Sequence, residues 1–433
     1  MKYAIVGTGA RHAMYRKAVT ETHAEDNELV ALCDINAKRL ALSAGRTPNP
    51  GGNGIATYRP EEFARMIGEQ KPDTVIVTTP DYLHDKYIVE ALRAGCNVMT
   101  EKPMTIDIAR LKRILDAQRE TGKSVAVTFN YRYTPARTQI KDLLMSGAIG
   151  EVTAIDFRWY LDRVHGADYF RRWHRYKDRS GGLLVHKSTH HFDLLNWWTA
   201  SFPTHVSANG KRDFYTPEMA IKLGLEGRGE RCHECPVAGK CEFRLDLAGN
   251  QALNELYLQA EDEDGYLRDR CVFDADITIE DTMQVQVAYA NGISCNYTLC
   301  AYSPWEGLEI KFHGTKGELT HRHVEVHGVF GSDRQRPVEG GMKTELHIAG
   351  KVAEEIPVWA SAGDHGGADP IMLGYLFEPH RMEPDRYGRS SDQVAGAWSI
   401  LTGIAANESI ATGARVDVGE MLKAAGIDLG AIA

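Results

Sequence analysis

Three titratable side chains stand out as able to move protons: Lys102, within Glu101-Lys102-Pro103, and His186 and His190, four residues apart. Taking a proton from an alcohol needs a base for the hydroxyl and a cationic or hydrogen-bonding group to steady the developing alkoxide. Lys102 and His190 fit those needs. On a helix, the i, i+4 spacing puts His186 and His190 on one face, with Lys187 within a turn of both His190 and His191. Three readings of His186 stand side by side: a polar substrate contact or proton relay, a metal ligand together with His190 and His165 or Asp193, and a hydrogen-bonded histidine without a catalytic role. A second imidazole and a lysine beside His190 tend to lower its pKa.

Two further groups carry chemistry. The stretch from Asp162 to His174 is dense in polar and aromatic side chains, as a site for a hydroxyl-rich ring is, with polar groups on the hydroxyls and an aromatic under the apolar face. His165, Tyr169, Arg172 and Trp173 are its candidate substrate contacts, joined by Lys187 and Asp193, whereas Trp197 and Trp198 read as core. Cys232-x2-Cys235-Pro236-x5-Cys241, followed by Cys271, brings four thiols close enough in sequence for one tetrahedral metal, most simply zinc. A structural metal, a disulfide and free thiols are the alternatives there.

The elements that must position these residues begin at the N-terminus. Tyr3 to Val6 are β-formers, Gly7-Thr8-Gly9 follows at once, and a helical pattern runs from about Arg11 to Thr22. A strand, glycine turn and helix in this order suit a phosphate approached closely by backbone N–H groups, which makes Gly7, Gly9 and Ala10 candidate contacts, although His12 stands where G-x-G-x-x-G has its third glycine. Leu29 to Cys33 reads as a second strand ending in Asp34, about twenty residues past the turn, where a carboxylate can take a ribose hydroxyl pair and repel a 2′-phosphate. That favours NAD over NADP. Further strands at 74–78, 97–99 and 124–128 alternate with helices near 36–44, 82–94 and 105–121, past a Gly/Pro-rich loop at 45–54. Near-continuous apolar strands between amphipathic helices imply a doubly wound parallel sheet, an α/β Rossmann domain over residues 1–130.

Gly7-Thr8-Gly9, Thr79-Pro80-Asp81 with His84, Glu101-Lys102-Pro103, Asn130-Tyr131-Arg132-Tyr133 and Gly147 to Val152 follow in an order and spacing that resemble the glucose–fructose oxidoreductase/inositol dehydrogenase/rhizopine catabolism (Gfo/Idh/MocA) family. Gly181-Gly182 with His190 and Asp193, and His313 to Glu318, extend the resemblance over most of the chain. A branch of that family has a similar Cys-x-x-Cys-Pro insertion. The resemblance implies that Thr79, Pro80, His84, Glu101, Lys102 and Asn130 join the cofactor contacts, that Lys102 lies beside the nicotinamide and touches the substrate hydroxyl, and that His190 is the acid/base. It also implies an α+β C-terminal domain, residues 131–433, with an open, predominantly antiparallel sheet used for homodimer or homotetramer contacts. The family usually has aspartate where this chain has His186. From residues alone, Val285, Val287 and Tyr289 alternate with polar neighbours, and Asn291-Gly292 supplies a hairpin turn before 293–299 returns.

The chain has 433 residues, 43% hydrophobic and 25% charged, with a net charge of −9. This is globular composition without a basic block, which argues against nucleic acid or an anionic membrane as partner. With no signal-peptide pattern and no apolar run of about 18 residues, the reading is cytoplasmic, acting on a small carbohydrate. Two activities fit: NAD-dependent oxidation of a secondary hydroxyl of a sugar, glycoside or polyol, and redox-neutral, NAD-dependent glycoside cleavage by transient oxidation, elimination, hydration and re-reduction, with metal assistance at His186. The length beyond an ordinary sheet domain falls in the cysteine-bearing insertion at about 213–270 and a His-rich stretch at about 321–365.

Overall fold

The computed structural model describes residues 1–48, 54–325, 340–360 and 364–429. Six strands, β1 (Lys2–Val6), β2 (Glu28–Cys33), β3 (Ala56–Tyr58), β4 (Thr74–Val77), β5 (Asn97–Thr100) and β6 (Val125–Val127), form an all-parallel sheet in the order β3-β2-β1-β4-β5-β6. The order reverses between β2 and β4 on either side of β1. That switch opens a crevice at the carboxyl ends of the strands, where the turns after β1 and β4 diverge. Ala4, Ile5, Val6, Val75, Ile76 and Val77 are all buried, as strands covered on both faces require. The expected strands and helices of this half are present. The short strand β3 and the helix Phe63–Gln70 were not evident in the sequence, and residues 49–53 of the expected loop lie outside the described residues.

The second sheet has nine strands: β7 (Val152–Asp162), β8 (Pro203–Lys211), β9 (Thr282–Tyr289), β10 (Ser294–Ser303), β11 (Glu306–Gly314), β12 (Gly317–Glu325), β13 (Gly341–Ile348), β14 (Glu354–Ile356) and β15 (Val416–Asp417). Among the described residues only the central pair β7 and β10 is parallel, so the sheet is mixed and mostly antiparallel. Its period-2 pattern turns Phe157, Trp159, Val285, Val287, Leu308 and Ile310 inward, against the helices Thr189–Thr199 and Gln393–Thr412. The hairpin at Asn291-Gly292 closes with Tyr289 and Ile293 paired, and Gly292 takes a φ of +87°. The His-rich stretch supplies the end of β12 and the strands β13 and β14 toward one edge of the sheet, while its residues 326–339 and 361–363 lie outside the described residues.

The two sheets share packing. The helix Asp364–Phe377, far along the chain, lies on the first sheet, where Ala368, Met372 and Phe377 join a core with Tyr3, Ile5 and Ile76. No helix among the described residues is long and apolar enough to cross a membrane.

Candidate active site

A cleft of about 1140 Å³ runs from the glycine turn after β1, past the ends of β4 and β5, to the inner side of the second sheet. That exceeds the roughly 300–1,000 Å³ of a pocket for one small molecule. Every cofactor residue expected from the sequence lines it: Gly7, Gly9, Ala10, Asp34, Thr79, Pro80, His84, Glu101, Lys102 and Asn130.

The two glycines of the turn serve different ends. Gly7 has a φ of +92°, and a Cβ there would lie 2.8 Å from the backbone of Thr78 and Thr79, so only glycine lets the turn close against the end of β4. A Cβ on Gly9 would meet nothing within 4 Å, because the residue faces the cleft. Open space against bare backbone is what a dinucleotide pyrophosphate needs. His12, in place of the third glycine, ties the turn down instead, with one ring nitrogen on the Gly9 carbonyl and the other 2.6 Å from Ser43 Oγ. Asp34 Oδ2 accepts from Thr8 N at 2.5 Å and Thr8 Oγ1 at 2.9 Å, and Oδ1 accepts from Asn36 N at 2.7 Å. A carboxylate has about four lone-pair sites, which leaves capacity for a ribose hydroxyl. The ring nitrogens of His84 lie 2.8 Å from the carbonyls of Thr79 and Pro103, joining the turns after β4 and β5.

Lys102 follows β5 directly, and its ammonium donates to the carbonyl of His186 at 3.3 Å. That carbonyl is free to accept because the helix expected through both histidines is broken. Leu183–His186 and Thr189–Thr199 are separate helices, and His190 N turns to the Lys187 carbonyl rather than to His186. His186 and His190 therefore do not share one helical face, which corrects the i, i+4 reading. His186 Nδ1 lies 2.5 Å from Asp81 Oδ2, and the His186 ring meets His174 at a centroid distance of 4.1 Å. His190 stacks on Tyr131 at 4.2 Å, and its buried Nδ1 has no hydrogen-bond partner among the described residues.

Burial dominates the electrostatics here. It brings the Lys102 ammonium down to about 8, with Lys187 pushing the same way and Asp81 and Glu101 opposing. It raises the Asp81 carboxyl well above the usual range, against Lys102 and Arg172, and lowers both His186 and His190, with Lys102 adding to the effect. Both partners of the Asp81–His186 contact are thus pushed toward their neutral forms. Glu101 stays ionised: burial opposes its charge, but Arg11 at 2.5 Å and the Tyr15 hydroxyl at 2.7 Å outweigh it.

The opposite wall carries five of the six expected substrate residues. His165 Nδ1 is 2.6 Å from Glu306 and its Nε2 is 2.9 Å from the Tyr169 hydroxyl. Arg172 donates to Asp168 at 3.2 Å, Trp173 stacks on His174 at 3.6 Å, and Lys187 Nζ sits 4.6 Å over the Trp159 ring. Asp193 is the exception. It lies outside the cleft, where both oxygens accept from the buried guanidinium of Arg132, at 2.8 and 2.6 Å.

The four cysteines line one small hollow of about 20 Å³, with no disulfide between them among the described residues. Among the described residues no three His, Cys, Asp or Glu side chains are disposed to hold a metal ion, either there or at His186 and His190. Burial raises the Cys232 and Cys271 thiols. Asp81 was visible in Thr79-Pro80-Asp81 without an assigned role, because its partner is 105 residues away. Tyr131, inside the quoted Asn130-Tyr131-Arg132-Tyr133 motif but without an assigned role, also lines the cleft, as do Glu306, Glu325 and Asp369, which come from distant parts of the chain that no local pattern announces.

A Rossmann sheet with an open glycine turn, joined to a second sheet across a cleft holding a half-buried lysine, defines an NAD(P)-binding, two-domain oxidoreductase. The chain belongs to the Gfo/Idh/MocA family: residues 1–129 match "Oxidoreductase family, NAD-binding Rossmann fold" and residues 141–418 match "Oxidoreductase family, C-terminal alpha/beta domain". It is 35% identical over 402 residues to YteT of Bacillus subtilis (strain 168), named as an oxidoreductase, covering 90% of this chain and 91% of that one. It is 27% identical over 215 residues to D-glucoside 3-dehydrogenase of Escherichia coli (strain K12), covering 48% of this chain and 56% of that one. The WlbA dehydrogenase of Bordetella pertussis, solved with NADH and UDP-GlcNAcA, has the same fold, with a TM-score of 0.62 at 18% identity over 96% of this chain and 98% of that one.

Proposed function

We propose that the protein oxidises a secondary hydroxyl of a sugar, glycoside or polyol with NAD as hydride acceptor. The observation that carries this reading is Lys102: a lysine brought down to about 8 and held at the end of β5 by the His186 carbonyl, between the glycine-turn wall and the polar, aromatic wall. The neutral amine takes the hydroxyl proton, and the ammonium so formed faces the carbonyl oxygen that develops. His190, stacked on Tyr131 and kept neutral by burial, is the second group able to hold that proton. The hydroxyl carbon loses its hydrogen as hydride, and the bound nicotinamide supplies the acceptor. Trp173 and Tyr169 offer ring faces, while His165, Arg172 and Lys187 offer hydrogen bonds to the remaining hydroxyls. Asp34 at the ribose end supports NAD over NADP.

A second reading rests on the Asp81–His186 pair, one acid/base unit more than a single hydride transfer requires. Elimination from a transient ketosugar needs such a base, and the cycle ends without net NADH. Incubating the protein with NAD and a panel of free sugars and aryl glycosides, following NADH and released aglycone together, separates the two. NADH alone supports the dehydrogenase, aglycone without net NADH supports glycoside cleavage, and neither product across the panel overturns both. Lys102→Met is expected to reduce turnover at least 1,000-fold, roughly 4 kcal/mol of barrier, while NADH binding by fluorescence is retained. Unchanged turnover would refute the role of Lys102.

A further inference from the structure

The insertion is not a distant ornament, because its second half reaches back across the cleft to the nucleotide domain. Asn36 Nδ2 donates to the Ala260 carbonyl at 2.7 Å, Lys38 Nζ to Asp262 at 2.7 Å and Arg46 to Glu255 at 2.5 Å, while Arg39 pairs with Asp264. Leu245, Leu247, Leu253, Leu256 and Tyr257 form a small core of their own, and the residues packed against it include Ala10 of the glycine turn and Leu42 of the helix after β2. Tyr257, Asp264, Gly265 and Tyr266 line the same cleft as Gly9 and Asp34. Arg39 is buried, 4.0 Å from Asp34, and its Nη1 has no hydrogen-bond partner among the described residues. A buried cation lining a cleft between two carboxylates is a group placed for a ligand, and the carboxylates decide which ligand it accepts.

We propose that residues 245–267 form the second wall of the dinucleotide site, clasping its adenosine-ribose end against Asp34, and that Asp264 holds Arg39 so that this end accepts a 2′-hydroxyl and rejects a 2′-phosphate. The inference rests on the reading of the chain as NAD-dependent. With Asp264 in place, the Arg39 guanidinium is paired with a carboxylate and the ribose faces two carboxylates. Without Asp264, the guanidinium is the natural partner of a phosphate, which it can bind in bidentate fashion. Because the clasp packs on Ala10 and bonds to the helix Ala37–Gly45, dinucleotide leaves only as those contacts part. The parting of those contacts then sets how fast the dinucleotide is released.

The test measures dinucleotide itself. NADH and NADPH are bound to the full-length protein, with affinity and dissociation rate read by nicotinamide fluorescence and competition. In Asp264→Asn we expect the preference for NADH over NADPH to fall at least ten-fold and NADH release to quicken by a similar factor. Lys38→Glu removes a clasp contact without touching Arg39, so it should speed NADH release while leaving the preference unchanged, and Lys38→Glu with Asp262→Lys should restore the slow rate. A wild-type protein that binds neither nucleotide defeats the NAD-dependent reading itself. A wild type that binds NADH normally, with release and preference unchanged in the Asp264 and Lys38 variants, overturns the clasp alone. If Asp264→Asn fails to fold, the Lys38 pair decides the clasp by itself.

Discussion

Gly7 and Gly9 differ by what surrounds them, and the difference separates folding from binding. Gly7→Ala forces a side chain into a left-handed backbone 2.8 Å from Thr78, so we expect stability to fall by roughly 1–3 kcal/mol, measured by urea unfolding. Gly9→Ala meets no protein atom within 4 Å, so unfolding should be unchanged while the dinucleotide Kd rises ten-fold or more, about 1.4 kcal/mol, by fluorescence titration. Equal stability losses in both would mean that Gly9 is a packing residue. Lys102 gives a prediction in pH. With its pKa lowered to about 8, chiefly by burial, the ammonium prevails below that pH and the neutral amine above it. Since the amine must accept the hydroxyl proton, log kcat/KM for oxidation should rise with pH and level off above about 8. Lys187 contributes to the lowering, so Lys187→Met should move the midpoint upward. A midpoint that stays put would detach Lys187 from the electrostatics of Lys102.

At the scale of elements, what the sequence reveals depends on how local the signal is. Strand, glycine turn and helix are contiguous, so Gly7, Gly9, Ala10 and Asp34 could be read as contacts from the residues alone, whereas Thr79, Pro80, His84, Glu101, Lys102 and Asn130 came only with the family resemblance. The break between Leu183–His186 and Thr189–Thr199 could not be read, because no glycine or proline lies between them. Long-range partners settle that segment: Asp81 takes the His186 ring, Lys102 the His186 carbonyl, and Tyr297 the Ser188 hydroxyl at 2.8 Å. Nearness in sequence to His190 also made Asp193 look like a substrate ligand, when its partner is Arg132 on the short turn Asn130–Tyr133. The pair fastens the helix Thr189–Thr199 to the end of the nucleotide domain. Asp193→Asn leaves a buried guanidinium uncompensated, which should destabilise the protein by about 3–5 kcal/mol in denaturant unfolding without altering the substrate KM. A raised KM with native stability would return Asp193 to the substrate site.

For the whole molecule the question is whether two sheets make two independent bodies. Proteins with separate domains commonly unfold in more than one step. Here the boundary is crossed repeatedly. The helix Asp364–Phe377 completes the core over β1 and β4, Asp369 accepts from Asn130 at 2.8 Å and lies 3.5 Å from Arg11, His23 pairs with Glu378 at 2.9 Å, and Ala126 of the edge strand β6 bridges to Asp392. The insertion adds a second set of ties on the far side of the cleft. Neither sheet can lose its structure without stripping apolar surface and buried ion pairs from the other. Thermal unfolding by calorimetry should therefore be one cooperative transition, and NADH at about 100 times its Kd should raise that whole transition by the equivalent of about 2.7 kcal/mol. Two transitions, with only the first moved by NADH, would show the nucleotide domain unfolding by itself and the cross-boundary contacts to be incidental.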